Sequence, residues 1–220
     1  MFELLVREGD LRGRRVLDVG CGTGVLAAAL AEREAARVWG IDAEPAMLDA
    51  VARARVPAGV GLRVGSADAL PFRDAWFERA VLRLVIHLVD RARALPELAR
   101  VIAPGGRAAI ATFDPTHFER FWLNRLFPSL EEIDRARFPE PGALTRELAA
   151  AGFTAVRVVR LSQQRELDRG TALERIRGRH ISTFDLLSEE EIAAGIGRAE
   201  RELPPTLDVA LEWAIVVADR

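Results

Sequence analysis

The 220-residue chain has one cysteine, three histidines, two methionines, no tyrosine and no lysine. With Cys21 as its single thiol, it can form neither an intramolecular disulfide nor a cysteine metal cluster, which fits a reducing cytoplasm. His87, His117 and His180 are dispersed without metal-ligand spacing, so no metal is expected. No stretch approaches the roughly 18 to 20 consecutive apolar residues of a membrane span. Met1 to Asp10 lacks a basic start followed by an apolar core, so no leader is expected either. A formal net charge of -2 leaves no electrostatic footprint for nucleic acid. Because every basic residue is arginine, arginine clusters alone say little about function. What is present is a chain 50% hydrophobic. Its length suits one sizeable α/β domain with insertions.

The stretch around which the chain is organised is Arg15 to Val25, RVLDVGCGTGV. Val16, Leu17 and Val19 read as a short buried strand, and Val25 to Leu30 resumes with good helix formers. Between them, Gly20, Gly22 and Gly24 permit positive φ and let a ligand approach the backbone. A dinucleotide turn spaces its glycines G-x-G-x-x-G, so that a small third residue lets helix and strand pack under a pyrophosphate. Here Val25 takes that place, and Asp18 lies two residues before the first glycine. An acid there repels a pyrophosphate and suits an ammonium or sulfonium. A nicotinamide oxidoreductase is disfavoured on both counts.

With these residues the chain resembles the class I S-adenosylmethionine-dependent methyltransferases, whose first motif DVGCGTG matches at every position. The resemblance, nearest to the type 11 and ubiquinone-biosynthesis enzymes, covers Arg15 to Thr112 well. It implies a Rossmann-like doubly wound fold: a mostly parallel seven-stranded sheet with an antiparallel last strand and helical cap insertions. S-adenosylmethionine is the implied cofactor. Asp18, Gly20, Cys21 and Gly22 would line it, and Asp42, about twenty residues past the turn, would accept both ribose hydroxyls. A helix cap is the ordinary alternative for Asp42. Ala43 and Met47 follow at the same edge, while Met47, Leu48 and Val51 also fit the buried stripe of a helix opened by Pro45. In Ser66 to Phe72 the resemblance gives Asp68 the adenine amine and Ala69 N–H a ring nitrogen, with Leu70 either on the adenine face or in the core. It puts Arg83 where a backbone carbonyl meets the methionyl amine.

Further strands are expected over Arg37 to Ile41, Gly61 to Gly65 and Trp76 to Leu84, with His87 beginning the next helix. Glu78-Arg79 departs from the family's usual single aspartate. Ala94 to Ala103 reads as an amphipathic helix ended by Pro104-Gly105-Gly106, before a strand from Arg107 to Thr112. The apolar residues Phe118, Phe121, Trp122, Leu123, Leu126 and Phe127 fit one helix, either a cap or a homodimer surface. Pro141 to Gly152 reads as a helix, Ala155 to Leu161 as a strand, and Leu207 to Val217 as the last strand. The whole of 1–220 is thus read as one domain with insertions at 114–141 and 162–208. The second insertion carries helices at Thr171 to Arg179 and Glu189 to Leu203, the latter with a Ser188/Glu191 capping box.

The sequence thus points to an enzyme moving a methyl group from S-adenosylmethionine to a small-molecule acceptor, with His87 and His117 as candidate acceptor-side groups and a structural role as the alternative for His87. A general base helps an oxygen or nitrogen acceptor and is dispensable for an already nucleophilic one. The reading from another class is a catalytically silent protein that binds the cofactor or its demethylated product. A nucleic-acid methyltransferase is disfavoured by charge and by Arg83-Leu84-Val85-Ile86, which replaces an N/D-P-P-Y-type motif.

Overall fold

The computed structural model describes residues 1–53 and 57–220, with side chains for 1–49 and 57–220. After helix α1 (Phe2–Gly9), the chain alternates β1 (Arg15–Val19), α2 (Val25–Glu34), β2 (Arg37–Asp42), α3 (Pro45–Arg53), β3 (Val60–Val64), β4 (Phe77–Arg83), α4 (Arg91–Val101) and β5 (Ile102–Phe113). It continues through α5 (Pro115–Glu119), α6 (Leu130–Arg137), α7 (Pro141–Ala150), β6 (Thr154–Asp168), α8 (Arg169–Arg177), α9 (Glu189–Glu202) and β7 (Thr206–Asp219). The strands form a seven-stranded sheet in the order β3-β2-β1-β4-β5-β7-β6. The pairs β1–β2, β1–β4, β2–β3 and β4–β5 are parallel. Between β5 and β7, Arg220 N–H donates to Gly106 O and Asp114 N–H to Glu212 O, both at 2.9 Å. Partner numbers fall as the other strand's rise, so β7 runs antiparallel.

The order of strands reverses beside β1, where β2 lies on one side and β4 on the other. A crevice therefore opens at the carboxyl ends of β1 and β4, the switch point of a doubly wound sheet. Both faces of the sheet's central strands β1, β4 and β5 are covered, so these strands are largely apolar. On one face Val16, Val81, Ala109 and Ala111 pack with Leu5, Leu26 and Leu30. Leu17, Val19, Ala80 and Leu82 pack on the other with Leu95, Leu98, Leu144 and Leu148.

The chain divides into two compact units: Met1–Thr112, Glu140–Val159 and Ala214–Arg220 form the first, Phe113–Pro139 and Arg160–Trp213 the second. The second has its own core, in which Leu123, Leu126, Phe127, Phe184 and Ile192 are buried. Its aromatic segment is not the single helix expected. It breaks into α5, a 3-10 turn at Trp122–Arg125 and α6. Phe121 is extended, the Asn124 amide takes up the Phe118 carbonyl at 2.6 Å, and Pro128 cannot donate within a helix. The segment expected as the second insertion, 162–208, begins within β6, which runs to Asp168, and lies inside the second unit. Pro104-Gly105-Gly106 lies inside β5, where Gly105 N–H donates to Arg220 O at 2.8 Å. The expected Ser188 cap forms, its side chain accepting Glu191 N–H at 3.1 Å, but Glu191 Oε1 accepts from Ser129 N–H rather than closing the box.

Candidate cofactor site

Four N–H groups of the glycine turn are spent within the fold. Gly20 and Cys21 N–H both donate to Ile41 O, at 2.8 and 3.0 Å, and Gly24 N–H donates to Cys21 O at 2.9 Å. Gly22 N–H donates to Asp42 Oδ2 at 2.8 Å, while Asp42 Oδ1 accepts Glu44 N–H at 3.0 Å. A phosphate cradle needs several free N–H groups converging on one point. This turn offers acceptors and carboxylates instead, a setting for a ligand that brings positive charge and donors.

Asp18 is 1% exposed, and burial pushes its carboxyl up to about 7, with the Arg83 guanidinium pulling it down and Asp42 adding to the rise. One backbone N–H, that of Ala27, bonds the carboxylate. Its Oδ2 is buried with no partner among the described residues, as is Oδ1 of Asp68. Asp68 stands just past β3, in a turn where its N–H donates to Ser66 Oγ at 3.2 Å. Ala69 N–H, expected to meet a ring nitrogen, already donates to Ser66 O at 3.3 Å. Leu70 is in the core, and its N–H donates to Glu97.

The glycines divide by what surrounds them. A Cβ on Gly22, at φ +53, would meet nothing within 4 Å, whereas one on Gly20 would lie 2.3 Å from Val85 Cγ2. Gly22 keeps space open at the site; Gly20 is glycine because Val85 packs against it. Gly40, which sequence reasoning passed over, gives room to the Cys21 thiol, which a Cβ there would meet at 2.8 Å. Cys21 is buried and its thiol is pushed up to about 12 by desolvation, so it lines the turn as an inert apolar group.

Two expectations are corrected here. Met47 is 42% exposed and does not join the buried stripe with Leu48; the Val51 side chain lies outside the described residues. Next to the exposed Ala43, that exposure leaves Met47 at the rim of the switch-point crevice. His87 does not begin a helix: it sits in a turn closed by Leu88 N–H to Val85 O at 2.8 Å. The helix α4 starts later because Asp90 caps it, accepting Ala92 N–H at 3.1 Å. The pair Glu78-Arg79 is structural, with Arg79 bonded to Asp10 and Glu78 accepting Arg15 N–H at 3.0 Å.

His117 belongs to the second unit and is 2% exposed, its ring stacked on Phe113 at 3.9 Å. Desolvation lowers it to about 4, so the imidazole is neutral at physiological pH, and its Nδ1 has no hydrogen-bond partner among the described residues. His180 is exposed, with its Nδ1 against the Arg175 carbonyl at 3.0 Å. Three of the insertion arginines are paired on the surface, Arg135 with Glu119 and Glu131, Arg177 with Glu200, Arg179 with Glu189. Among the described residues no group of three His, Cys, Asp or Glu is placed to hold a metal ion, and no helix is long and apolar enough to cross a membrane.

Strand order and site chemistry define a doubly wound α/β protein with a carboxylate-lined glycine turn at the ends of β1 and β2. A profile of the methyltransferase domain family matches residues 17–110. A demethylmenaquinone methyltransferase of Thermus thermophilus is 36% identical over 165 residues, 64% of this chain and 74% of that protein. An uncharacterized methyltransferase of Mycobacterium tuberculosis is 40% identical over 134 residues, 58% of this chain and 53% of that protein. The chain thus spans about half the length of that relative. A methyltransferase from an antibiotic biosynthesis pathway of Anabaena variabilis superposes with a TM-score of 0.75 at 21% identity, over 97% of this chain and 95% of that one, a likeness of fold. The chain belongs to the class I S-adenosylmethionine-dependent methyltransferases.

Proposed function

We propose that this chain catalyses transfer of a methyl group from S-adenosylmethionine to a small-molecule acceptor. The observation that carries the reading is the glycine turn, whose Gly20, Cys21, Gly22 and Gly24 N–H groups are spent within the fold, Gly22's on the Asp42 carboxylate. The residues fit the cofactor. Asp42 keeps lone pairs for two ribose hydroxyls while holding the turn. The orphaned Oδ1 of Asp68 suits an exocyclic amine, and Gly22 leaves the space a side chain would fill. Gly20 and Cys21 shape the floor, Ala43 and Met47 flank the adenosine, the long Ala69 N–H bond leaves that donor to be shared with a ring nitrogen, and the Arg83 carbonyl faces the methionyl amine.

Bound there, the cofactor supplies an activated methyl on a positively charged sulfur. The chain's work is to orient that group and exclude water. Asp18 places negative charge beneath the site. His87, in the turn after β4, is the imidazole of this unit for the acceptor side. His117 is the second unit's, and its neutral state suits a proton acceptor. The test is calorimetric titration with S-adenosylhomocysteine beside NAD. Micromolar binding of the first and none of the second is expected; the reverse would sink the proposal.

A further inference from the structure

Residues 65–76, between β3 and β4, carry Asp68 without forming a helix or strand, so groups outside the segment must fix where that carboxylate stands. At its start Gly65 N–H donates to Asp42 O at 2.9 Å. Around Asp68 the local bonds are long, Asp68 N–H to Ser66 Oγ at 3.2 Å and Ala69 N–H to Ser66 O at 3.3 Å. The shorter anchors follow it, and they come from α4.

Glu97 and Arg100 lie three residues apart on that helix, a spacing that sets them side by side. Arg100 Nε and Nη2 donate to Glu97 Oε1 and Oε2, both at 2.7 Å, a two-pronged pair that leaves each partner capacity for further bonds. That capacity goes to the loop. Glu97 Oε2 accepts Leu70 N–H at 2.8 Å, and Arg100 Nη2 donates to Leu70 O at 2.9 Å. Leu70 is thus gripped at both backbone groups while its side chain is buried in the core. Arg100 Nη1 goes on to Phe72 O at 2.8 Å and Asp74 Oδ1 at 2.7 Å, and Arg63 Nη1 takes the intervening Pro71 O at 2.9 Å. The Arg100 carbonyl accepts Ala75 N–H at 2.9 Å, where the chain takes φ 53, a left-handed turn costly for an alanine.

An exposed ion pair by itself contributes little. Here the pair is spent on backbone groups of a segment with no regular structure of its own, and Asp68 stands two residues, at most about 7 Å of chain, before the gripped Leu70. A displacement of Leu70 therefore passes to Asp68 and Ala69, and hydrogen bonds weaken steeply once distance and angle drift.

We propose that Glu97 and Arg100 are positioning residues for base recognition: by holding Leu70 they set Asp68 and the Ala69 N–H against the edge of the adenine, and so supply selectivity for that base. This rests on the function proposed above, and it adds a role for two α4 side chains to which no ligand contact is assigned.

The test compares, by calorimetry, S-adenosylhomocysteine with S-inosylhomocysteine, in which an oxo group replaces the exocyclic amine and the neighbouring ring nitrogen carries a proton. Wild type is expected to bind the adenosyl compound at least tenfold tighter. Asp68→Asn, whose amide can donate to the oxo group, should bring that preference close to one. In Arg100→Gln the preference should fall to about threefold, with affinity for the inosyl compound within twofold of wild type, which also shows that the variant folds. Glu97→Gln, which keeps an acceptor for Leu70 N–H without the ion pair, should lie between Arg100→Gln and wild type. Added to Asp68→Asn, Arg100→Gln should change neither affinity by more than twofold, because it acts through Asp68. The proposal is overturned if Arg100→Gln keeps the wild-type preference, or weakens both ligands alike as a merely structural residue would. It is equally overturned if Arg100→Gln costs the adenosyl compound the same factor with and without Asp68→Asn. Should Arg100→Gln fail to fold, Glu97→Gln is judged by the same criteria. Wild type that binds neither compound would overturn the methyltransferase reading together with this one, whereas equal, micromolar binding of both would overturn this proposal alone.

Discussion

Burial makes Asp18 a carboxylate whose ionisation opposes folding. Its carboxyl lies at about 7 in the folded chain against an ordinary 3.8, so between those values the native state holds a proton that the unfolded state has released. The native state binds more protons there, and stability contributed at this residue falls as pH rises from about 4 to about 7. A ligand ammonium placed near it reverses the preference by favouring the ionised form. Affinity for S-adenosylhomocysteine is therefore expected to rise with pH, by up to about tenfold per unit below 7, and to level off above it. Asp18→Asn keeps an acceptor for the Ala27 N–H but cannot ionise, so its affinity should be weaker and independent of pH across that range. A wild-type affinity flat from pH 5.5 to 8 would refute the assignment. The residue's importance was legible from its position in DVGCGTG; its protonation was not, because that depends on Arg83 and Asp42, which the fold brings from other strands.

The strand, turn and helix of β1 and α2 were readable because their determinants are contiguous: an apolar run, three glycines and helix formers within about a dozen residues. The aromatic segment was misread because its spacing also suits one helix, and its breaks come from the extended Phe121, the Asn124 amide and Pro128. His87 was put on a helix for want of weight on Asp90 as the cap. Within the turn, two glycines that look alike in sequence should respond differently. Gly20→Ala adds a methyl 2.3 Å from Val85 Cγ2 at φ +66 and should destabilise the fold by several degrees in Tm, recovered in part by Val85→Ala. Gly22→Ala meets open space at φ +53, so it should cost only about 1 kcal/mol of stability. Its methyl would enter the ligand's space, and affinity for S-adenosylhomocysteine should fall by tenfold or more. Thermal melts and titrations of both variants check the contrast; equal losses of stability would refute it.

At the scale of the molecule, each compact unit carries a buried titratable group, and the two act in opposite senses. Asp18, in the first unit, favours the folded state as pH falls below about 7. His117, in the second, is lowered from 6.5 to about 4 by desolvation, so the unfolded chain takes up a proton that the folded chain refuses. Its contribution is fully present above 6.5 and is lost as pH falls toward 4, about 3 kcal/mol in all at about 1.4 kcal/mol per unit. His180 is shifted the same way by burial, and Asp134, raised by burial, opposes them within its unit. The carboxylates held low by arginines, such as Asp10 and Glu97, keep their contributions until the pH approaches the ordinary carboxylate range. Between pH 8 and 5.5, then, acid should strengthen the first unit and weaken the second. Scanning calorimetry is expected to show a transition that broadens or splits at pH 5.5, with its lower part moved back up in His117→Phe, which keeps an aromatic ring beside Phe113 and removes the proton site. A single transition with the same pH dependence in wild type and His117→Phe would mean that the two units unfold as one and that His117 does not govern either.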